Sequence, residues 1–240
     1  MKVEIWSDYV CPFCYIGRRK FELALEKFAH KHKIETVYRS FELDPGADSN
    51  SNMSTLSMLA AKYGMSIEQA KASTNSVTEQ AAAVGITFNI DGTVVTNTFD
   101  AHRTVHFASE QGKEKELSER LFKAYFTDGE NVGNRARLAE LAGEAGLDAA
   151  AVAAMLETNK YGDTVRNEEE EGSRLGIRGV PFYIIDRKYA ISGAQSPEVF
   201  LDTLNKAWEE KYPNFIQVNE GSNDELCTDG ICSPNAPKSE

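Results

Sequence analysis

Alternating apolar and polar residues at the start of the chain give way to a helical pattern. Residues 2–6 (KVEIW) alternate in this way, which predicts a short strand. From Pro12 the apolar residues take helical spacing, and proline suits the first turn of a helix. Residues 34–43 (IETVYRSFEL) are rich in strand-forming residues and end at a turn signal in residues 44–46. Strand, helix and strand in this order predict a βαβ unit with a parallel strand pair.

A long section from residue 54 to residue 171 shows helical stripes and little strand character. Residues 86–97 (ITFNIDGTVVTN) are the exception and predict an extended connection. The acidic run Glu168–Glu171 predicts a solvated helix face. The pattern as a whole predicts a helical insertion.

Strand character returns after this section. Residues 180–186 (VPFYIID) and 188–193 (KYAISG) are apolar and close together, which predicts an antiparallel hairpin. Pro197 then begins a last helix that ends near residues 212–213. Residues beyond 217 are polar and poor in apolar side chains, which predicts a loosely ordered tail.

The order of these elements predicts an α/β fold with a large helical insertion. We expect residues 1–50 and 164–216 to form one domain, and residues 51–163 to form the helical insertion domain. Residues 217–240 are then a flexible tail that carries cysteines.

Composition narrows the class of partner. The formal net charge of −11 would repel a polyphosphate backbone, so we expect no nucleic-acid partner. No run of roughly 18 apolar residues occurs, so we expect no membrane span. Charged residues interrupt the apolar residues of the N-terminal stretch, unlike a secretory signal. We therefore expect a cytoplasmic protein.

The four cysteines form two pairs, Cys11 with Cys14 and Cys227 with Cys232. The first pair is a C-x-x-C sequence between a predicted strand and a predicted helix, which favours redox chemistry. A helix N-terminus stabilises a thiolate at Cys11, and the first helical turn brings Cys14 within reach of a mixed disulfide. A zinc site made of all four thiolates and simple packing of the cysteines are the alternatives.

Pro181 gives a second signal at the start of the predicted strand 180–186. Proline is excluded from most strand positions unless it serves an edge, a bend or a cis bond. An ordinary trans proline that opens a strand is the alternative to a cis Val180–Pro181 bond.

The chain resembles the DsbA-like branch of the thioredoxin superfamily, and within it the FrnE-type oxidoreductases. The resemblance covers essentially the whole chain and rests on four segments: SDYVCPFCYIGRRKFE (7–22), NTFDAHRTVHFA (97–108), GIRGVPFYII (176–185) and CTDGIC (227–232). It implies a thioredoxin fold with a helical domain inserted between the second strand and the helix that precedes a cis proline. It also implies a thiol–disulfide oxidoreductase or protein disulfide isomerase without a bound cofactor or metal.

The same resemblance implies roles for individual residues. Cys11 becomes the nucleophile, Cys14 the resolving thiol, and Val180 and Pro181 the loop that holds a substrate chain. The implied partners are protein disulfides and dithiols, with glutathione or a thioredoxin-type reductant as a further partner. The dipeptide between the cysteines differs from the best-known ones, which leaves the reduction potential and the redox direction open. The oligomeric state is open as well.

The tail pair Cys227 and Cys232 has C-x4-C spacing around a turn-forming Thr-Asp-Gly sequence. The resemblance to FrnE-type proteins implies that this pair exchanges electrons with the first pair. A static disulfide and a pair of free thiols are the alternatives.

Residues 97–103 (NTFDAHR) also resemble the kappa-class glutathione transferases and the 2-hydroxychromene-2-carboxylate isomerases. Those enzymes carry serine at the position of Cys11 and lack a counterpart of Cys14, so the departure favours disulfide exchange. Asn97, His102 and Arg103 are candidate contacts for substrate or glutathione, with a packed or solvent-facing helix as the alternative. Peptide binding without catalysis, as in a chaperone, is the remaining class of function.

Overall fold

The computed structural model describes residues 1–213, and these residues form a mixed α/β structure around one four-stranded sheet. The strands are β1 (Lys2–Ser7), β2 (Glu35–Ser40), β3 (Phe182–Ile185) and β4 (Tyr189–Ser192). They lie in the order β2-β1-β3-β4, with β1 parallel to β2 and antiparallel to β3. Strands β3 and β4 form an antiparallel hairpin. The predicted α/β class, βαβ unit and hairpin are confirmed.

Nine α-helices occur within residues 1–213: α1 (Pro12–Lys27), α2 (Thr55–Tyr63), α3 (Ile67–Ala82), α4 (Phe99–Ser109), α5 (Glu114–Lys123), α6 (Arg135–Glu144), α7 (Ala149–Leu156), α8 (Gly162–Arg174) and α9 (Pro197–Lys211). Helices α2 to α8 all lie between β2 and β3 in the chain, which confirms the predicted helical section. None of the helices in this range is both long and apolar enough to cross a bilayer.

Helix α1 connects two separate clusters of buried side chains. Its middle packs on the sheet and on α9, where the Phe21 ring centroid lies 5.6 Å from that of Tyr183 and 5.6 Å from that of Phe200. Its first turn packs on the helical section, where Tyr15 stacks on Phe122 at 4.9 Å. Helix α1 is therefore held by different parts of the fold at its first turn and at its middle.

Three strands are shorter than predicted, and one of them is β4, which was predicted over residues 188–193 and spans Tyr189–Ser192. The predicted strand 34–43 ends at Ser40, because its partner β1 ends at Ser7 in the paired register. Beyond that point the backbone N–H of Leu43 donates to the side chain of Asp8 instead of to a neighbouring strand. The predicted strand 180–186 begins at Phe182, directly after a cis Val180–Pro181 peptide bond.

The predicted extended connection at residues 86–97 holds no strand in the structure. It carries one short helical turn, Ile90–Gly92, and one isolated bridge between Val94 and Ser54. The irregular path of this connection is consistent with the prediction.

The prediction of a solvated acidic face is wrong for Glu168. This side chain is buried against β2, where it accepts hydrogen bonds from Arg39 Nη1 at 2.9 Å and from the backbone N–H of Ser40 at 2.8 Å. His106 Nε2 lies 3.1 Å from the same carboxylate. A charge pattern alone cannot show that one member of the run turns toward a cation on a strand.

Candidate active site

Cys11 and Cys14 lie where β1 passes into α1. Cys11 is the N-cap residue of α1, with an extended backbone, and Pro12 occupies the first helical position. The backbone N–H of Cys14 donates to the carbonyl of Cys11 at 3.0 Å, which closes the first turn. Both residues are free thiols in this structure. The short β1 and the proline-initiated helix therefore place two sulfurs on one helical turn.

The two thiols differ in their surroundings. Cys14 is 1% exposed and accepts a hydrogen bond from the backbone N–H of Asp8 at 3.4 Å. Burial, followed by the hydrogen bond and charge of Cys11, raises the pKa of the Cys14 thiol well above its ordinary value. Cys11 instead faces the N-terminus of α1, where unpaired N–H groups and the helix dipole favour an anion. The arrangement favours a protonated thiol at Cys14 and places Cys11 at the N-terminal end of the helix.

The cis-proline loop faces the first of these sulfurs. The Cys11 thiol donates a hydrogen bond to the carbonyl of Val180 at 3.5 Å, across 169 residues of sequence. An open cleft of about 370 Å³ lies beside this carbonyl and is lined by Arg178, Pro181 and neighbouring residues of the same loop. Phe13, between the cysteines, is 39% exposed. Val180 is common to this cleft and to the contact with Cys11, whereas Cys11 itself does not line the cleft.

A buried acid and a buried histidine lie behind the cysteines. Asp8 is fully buried, and its Oδ2 accepts the backbone N–H of Leu43 at 2.7 Å. Its Oδ1 lies 3.7 Å from Nε2 of His102. Burial alone disfavours the imidazolium, but the nearby carboxylate of Asp8 outweighs it and raises the pKa of His102. His102 is thus a buried partner of Asp8, and Nε2 also lies 3.1 Å from the carbonyl of Phe41.

The other two predicted contact residues bind groups within the protein. Arg103 is buried, donates to the carbonyl of Lys160 at 2.9 Å and pairs with Asp100 at 2.6 Å. Asn97 donates to the side chain of Glu42 at 2.9 Å. These hydrogen bonds join α4 to the loops around it. The structure therefore gives Arg103 and Asn97 intramolecular partners.

Sequence reasoning overlooked Asp8. A carboxylate placed directly after a buried strand and three residues before Cys11 was the available signal. Burial of that carboxylate depends on the later segment around Leu43, which closes over it. Its burial is therefore a property of the assembled fold.

Metal binding was the main alternative for the cysteines. Among residues 1–213, no group of three or more histidine, cysteine, aspartate or glutamate side chains is arranged to hold a metal ion. A four-thiolate site would need Cys227 and Cys232, which lie outside the described residues together with the rest of the predicted tail.

A strand that leads into a C-x-x-C helix opposite a cis-proline loop is the arrangement of a thioredoxin-fold oxidoreductase. The family described as DSBA-like thioredoxin domain matches residues 2–205, and the chain belongs to that family. The predicted DsbA-like family and the predicted fold are thus confirmed, and the FrnE type within that family stays a prediction.

The chain is also similar to solved and curated proteins. A probable DsbA oxidoreductase from Streptomyces coelicolor is 44% identical with a TM-score of 0.84, over 93% of this chain and 97% of that chain. The Bacillus subtilis protein YwbO is 29% identical over 211 residues, which is 87% of this chain and 98% of YwbO. The cytosolic disulfide reductase DsbM from Pseudomonas aeruginosa is 16% identical with a TM-score of 0.59, over 88% of this chain and 100% of that chain. This last likeness shows a shared fold alone.

Proposed function

We propose that the chain exchanges disulfides with protein substrates through Cys11 and Cys14. One observation carries the proposal: a nearly buried thiol at the start of α1 lies 3.5 Å from the carbonyl of the cis-proline loop, with a second, fully buried thiol one turn behind it. This geometry supports an attacking sulfur that a substrate can reach and a resolving sulfur that it cannot. Membership of the DsbA-like family supports the same chemistry at the level of the class.

Reduction of a substrate proceeds in two balanced steps. The Cys11 thiolate attacks one sulfur of a substrate disulfide, forms a mixed disulfide, and releases the other substrate sulfur as a thiolate that takes up a proton. Cys14 then loses its proton and attacks Cys11, which forms the Cys11–Cys14 disulfide and releases the second substrate thiol. Oxidation of a dithiol is the reverse sequence. The relative reduction potentials of enzyme and substrate set the direction.

The raised pKa of Cys14 supports the assignment of Cys11 as the attacking sulfur and Cys14 as the resolving sulfur. A buried thiol that keeps its proton does not compete with Cys11 for the incoming disulfide. Its proton is removed only when the mixed disulfide has formed beside it. The mixed disulfide therefore has a finite lifetime, which a variant at Cys14 can extend.

The cleft beside Val180 supports an extended protein segment as the substrate. Backbone groups of an extended chain can pair with a loop or strand edge irrespective of sequence. Protein dithiols and disulfides are therefore the proposed partners, and glutathione is a small thiol that the same cleft can admit. The low number of cysteines, present in pairs, supports a reducing compartment such as the cytoplasm.

Replacement of Cys14 by serine is expected to trap substrates. The variant Cys14→Ser keeps the attacking sulfur and cannot resolve the intermediate, so mixed disulfides with Cys11 should accumulate. Non-reducing gel electrophoresis followed by mass spectrometry would identify the bonded cysteine. The double variant Cys11→Ser, Cys14→Ser is the matched control. Adducts at equal level in the control, or their absence from the single variant with a disulfide-bonded substrate present, would reject the proposed roles.

We further propose that Cys227 and Cys232, as in FrnE-type proteins, reduce the Cys11–Cys14 disulfide by exchange. The tail dithiol thereby becomes a disulfide, which glutathione or a thioredoxin-type reductant converts back to two thiols. Cys227 lies 16 residues beyond Lys211, the last residue of α9, and a chain of that length can span about 50 Å. Helix α9 has 15 residues, or about 22 Å of length. It begins three residues after Ala194, which lies beside the cis-proline loop. The covalent connection is therefore long enough to return to the active site.

Replacement of both tail cysteines by serine is expected to slow repeated turnover and leave the first turnover intact. The first turnover uses only the Cys11–Cys14 pair, whereas later cycles need that pair to be restored. Single-turnover and steady-state rates with one protein disulfide substrate would separate the two stages. A variant with Ser222→Ala and Ser233→Ala is the control for changes in the same segment. An unchanged steady-state rate in the cysteine variant would reject the relay.

A further inference from the structure

Gly17 lies inside α1, where glycine is less favourable than alanine because it gains more freedom in the unfolded chain. The residue is buried and lies three positions after Cys14, the end of the C-x-x-C sequence. Nothing about the helix itself requires glycine at this position. The reason must come from what packs against it.

The space beside Gly17 is filled by the active-site loop. A methyl group at this position would lie 2.7 Å from Oη of Tyr183, 3.0 Å from Cγ of Pro181 and 3.3 Å from Cβ of Ala194. The first of these distances is too short for any real contact, and the second is at the limit. The backbone of α1 thus runs directly against the cis proline and the residue two positions after it.

Tyr183 has little freedom to move away. It is buried, and its ring centroid lies 5.6 Å from that of Phe21 and 4.7 Å from that of Phe200. Its hydroxyl has no hydrogen-bond partner among the described residues. Burial is the main cause that raises the pKa of Tyr183, so the hydroxyl stays protonated and neutral.

We propose that Gly17 is a positioning residue, which lets α1 approach the loop closely enough to place the Cys11 sulfur against the Val180 carbonyl, with Tyr183 as the stop that sets the distance. The proposal rests on the proposed disulfide exchange at Cys11. A side chain at position 17 would move α1 and the loop apart by several tenths of an ångström or more. The Cys11 sulfur and a substrate held by the loop would then be misaligned, and small errors of alignment reduce rates strongly.

The variant Gly17→Ala tests the proposal, with Tyr183→Phe as its partner because that change removes only the obstructing oxygen. We expect Gly17→Ala to lower kcat/KM for reduction of a protein disulfide by about tenfold and to speed iodoacetamide labelling of Cys11 severalfold, since Cys11 is only 4% exposed. The double variant should recover to within about threefold of Tyr183→Phe alone, by the logic of a double-mutant cycle. Thermal unfolding would be followed for each variant.

Gly143→Ala in α6 is the matched control, because a methyl group there would make only an ordinary contact of 3.4 Å with Ala149. It should leave both rates unchanged. Gly17→Ala with near wild-type exchange and labelling, or a double variant no better than Gly17→Ala, would overturn the proposal. If Gly17→Ala does not fold, a folded and active double variant supports the stop at Tyr183, and an unfolded one rejects it. A wild-type chain without exchange activity would reject the proposed function instead. The labelling rates of Cys11 would then still test whether Gly17 sets the distance between α1 and the loop.

Discussion

Cys11→Ser is expected to abolish disulfide exchange, with a loss of at least about a thousandfold in rate. A serine hydroxyl at the N-terminus of α1 is not ionised near neutral pH and cannot form a disulfide. The substitution changes one atom in a nearly buried side chain, so the fold should remain. Reduction of a protein disulfide by the reduced variant, followed by release of substrate thiols, measures the loss.

The matching measurement is the rate at which the Cys14→Ser variant forms a mixed disulfide. That variant keeps the Cys11 sulfur at 3.5 Å from Val180, so it should still react once with a disulfide. Equal residual exchange in Cys11→Ser and Cys14→Ser would mean that the sulfurs do not have separate roles. Exchange retained by Cys11→Ser would move the chemistry away from α1 altogether.

Glu168→Gln is expected to lower the free energy of unfolding by about 2–3 kcal/mol at pH 7. Burial by itself raises the pKa of Glu168, but His106, Arg39 and the backbone N–H of Ser40 outweigh it and lower the pKa to about 2, from an ordinary value of 4.5. The neutral amide keeps the shape and loses the charge. Urea unfolding of the wild type and the variant measures the difference.

The pH dependence of this difference has a definite sign. The folded carboxyl of Glu168 binds a proton less readily than the unfolded one, so its stabilisation is fully present above pH 4.5 and is lost as the pH falls toward 2. The gap between wild type and Glu168→Gln should narrow over that window. Glu170→Gln, the same change at an exposed site on α8, is the matched control. An equal loss in the control, or a gap that persists at pH 2, would contradict the assignment.

The local pattern of apolar, polar and turn-forming residues predicts β1, α1 and the hairpin of β3 and β4. Strand β1 alternates, α1 begins at a proline after a cysteine, and the hairpin of β3 and β4 has a short turn at residues 186–188. Each of these signals lies within a few consecutive residues, so sequence alone places them. The location of both thiols and the cis peptide bond at Pro181 follow from the order of these elements and from the resemblance to a known family.

Charges that become buried are harder to predict. Asp8 and Glu168 occur in sequence contexts typical of exposed residues, and their burial depends on partners 35 or more residues away. Glu168 meets Arg39 only after α8 has packed on β2. The close approach of Gly17 to Tyr183 likewise depends on two elements more than 160 positions apart. Such features depend on how elements pack against each other. The residue pattern within a single element carries no information about that packing.

The packing of α1 at two separate places makes the exposure of the two sulfurs depend on the helical section. Tyr15 ties the reactive turn to aromatic rings of the helical section, whereas Phe21 ties the rest of the helix to the sheet. Regions of one protein can open independently and with different free energies. Loosening of the helical section alone would release the turn that carries Cys11 and Cys14 while the sheet stayed folded. The reactivity of these two thiols would therefore report on the integrity of the helical section beside them.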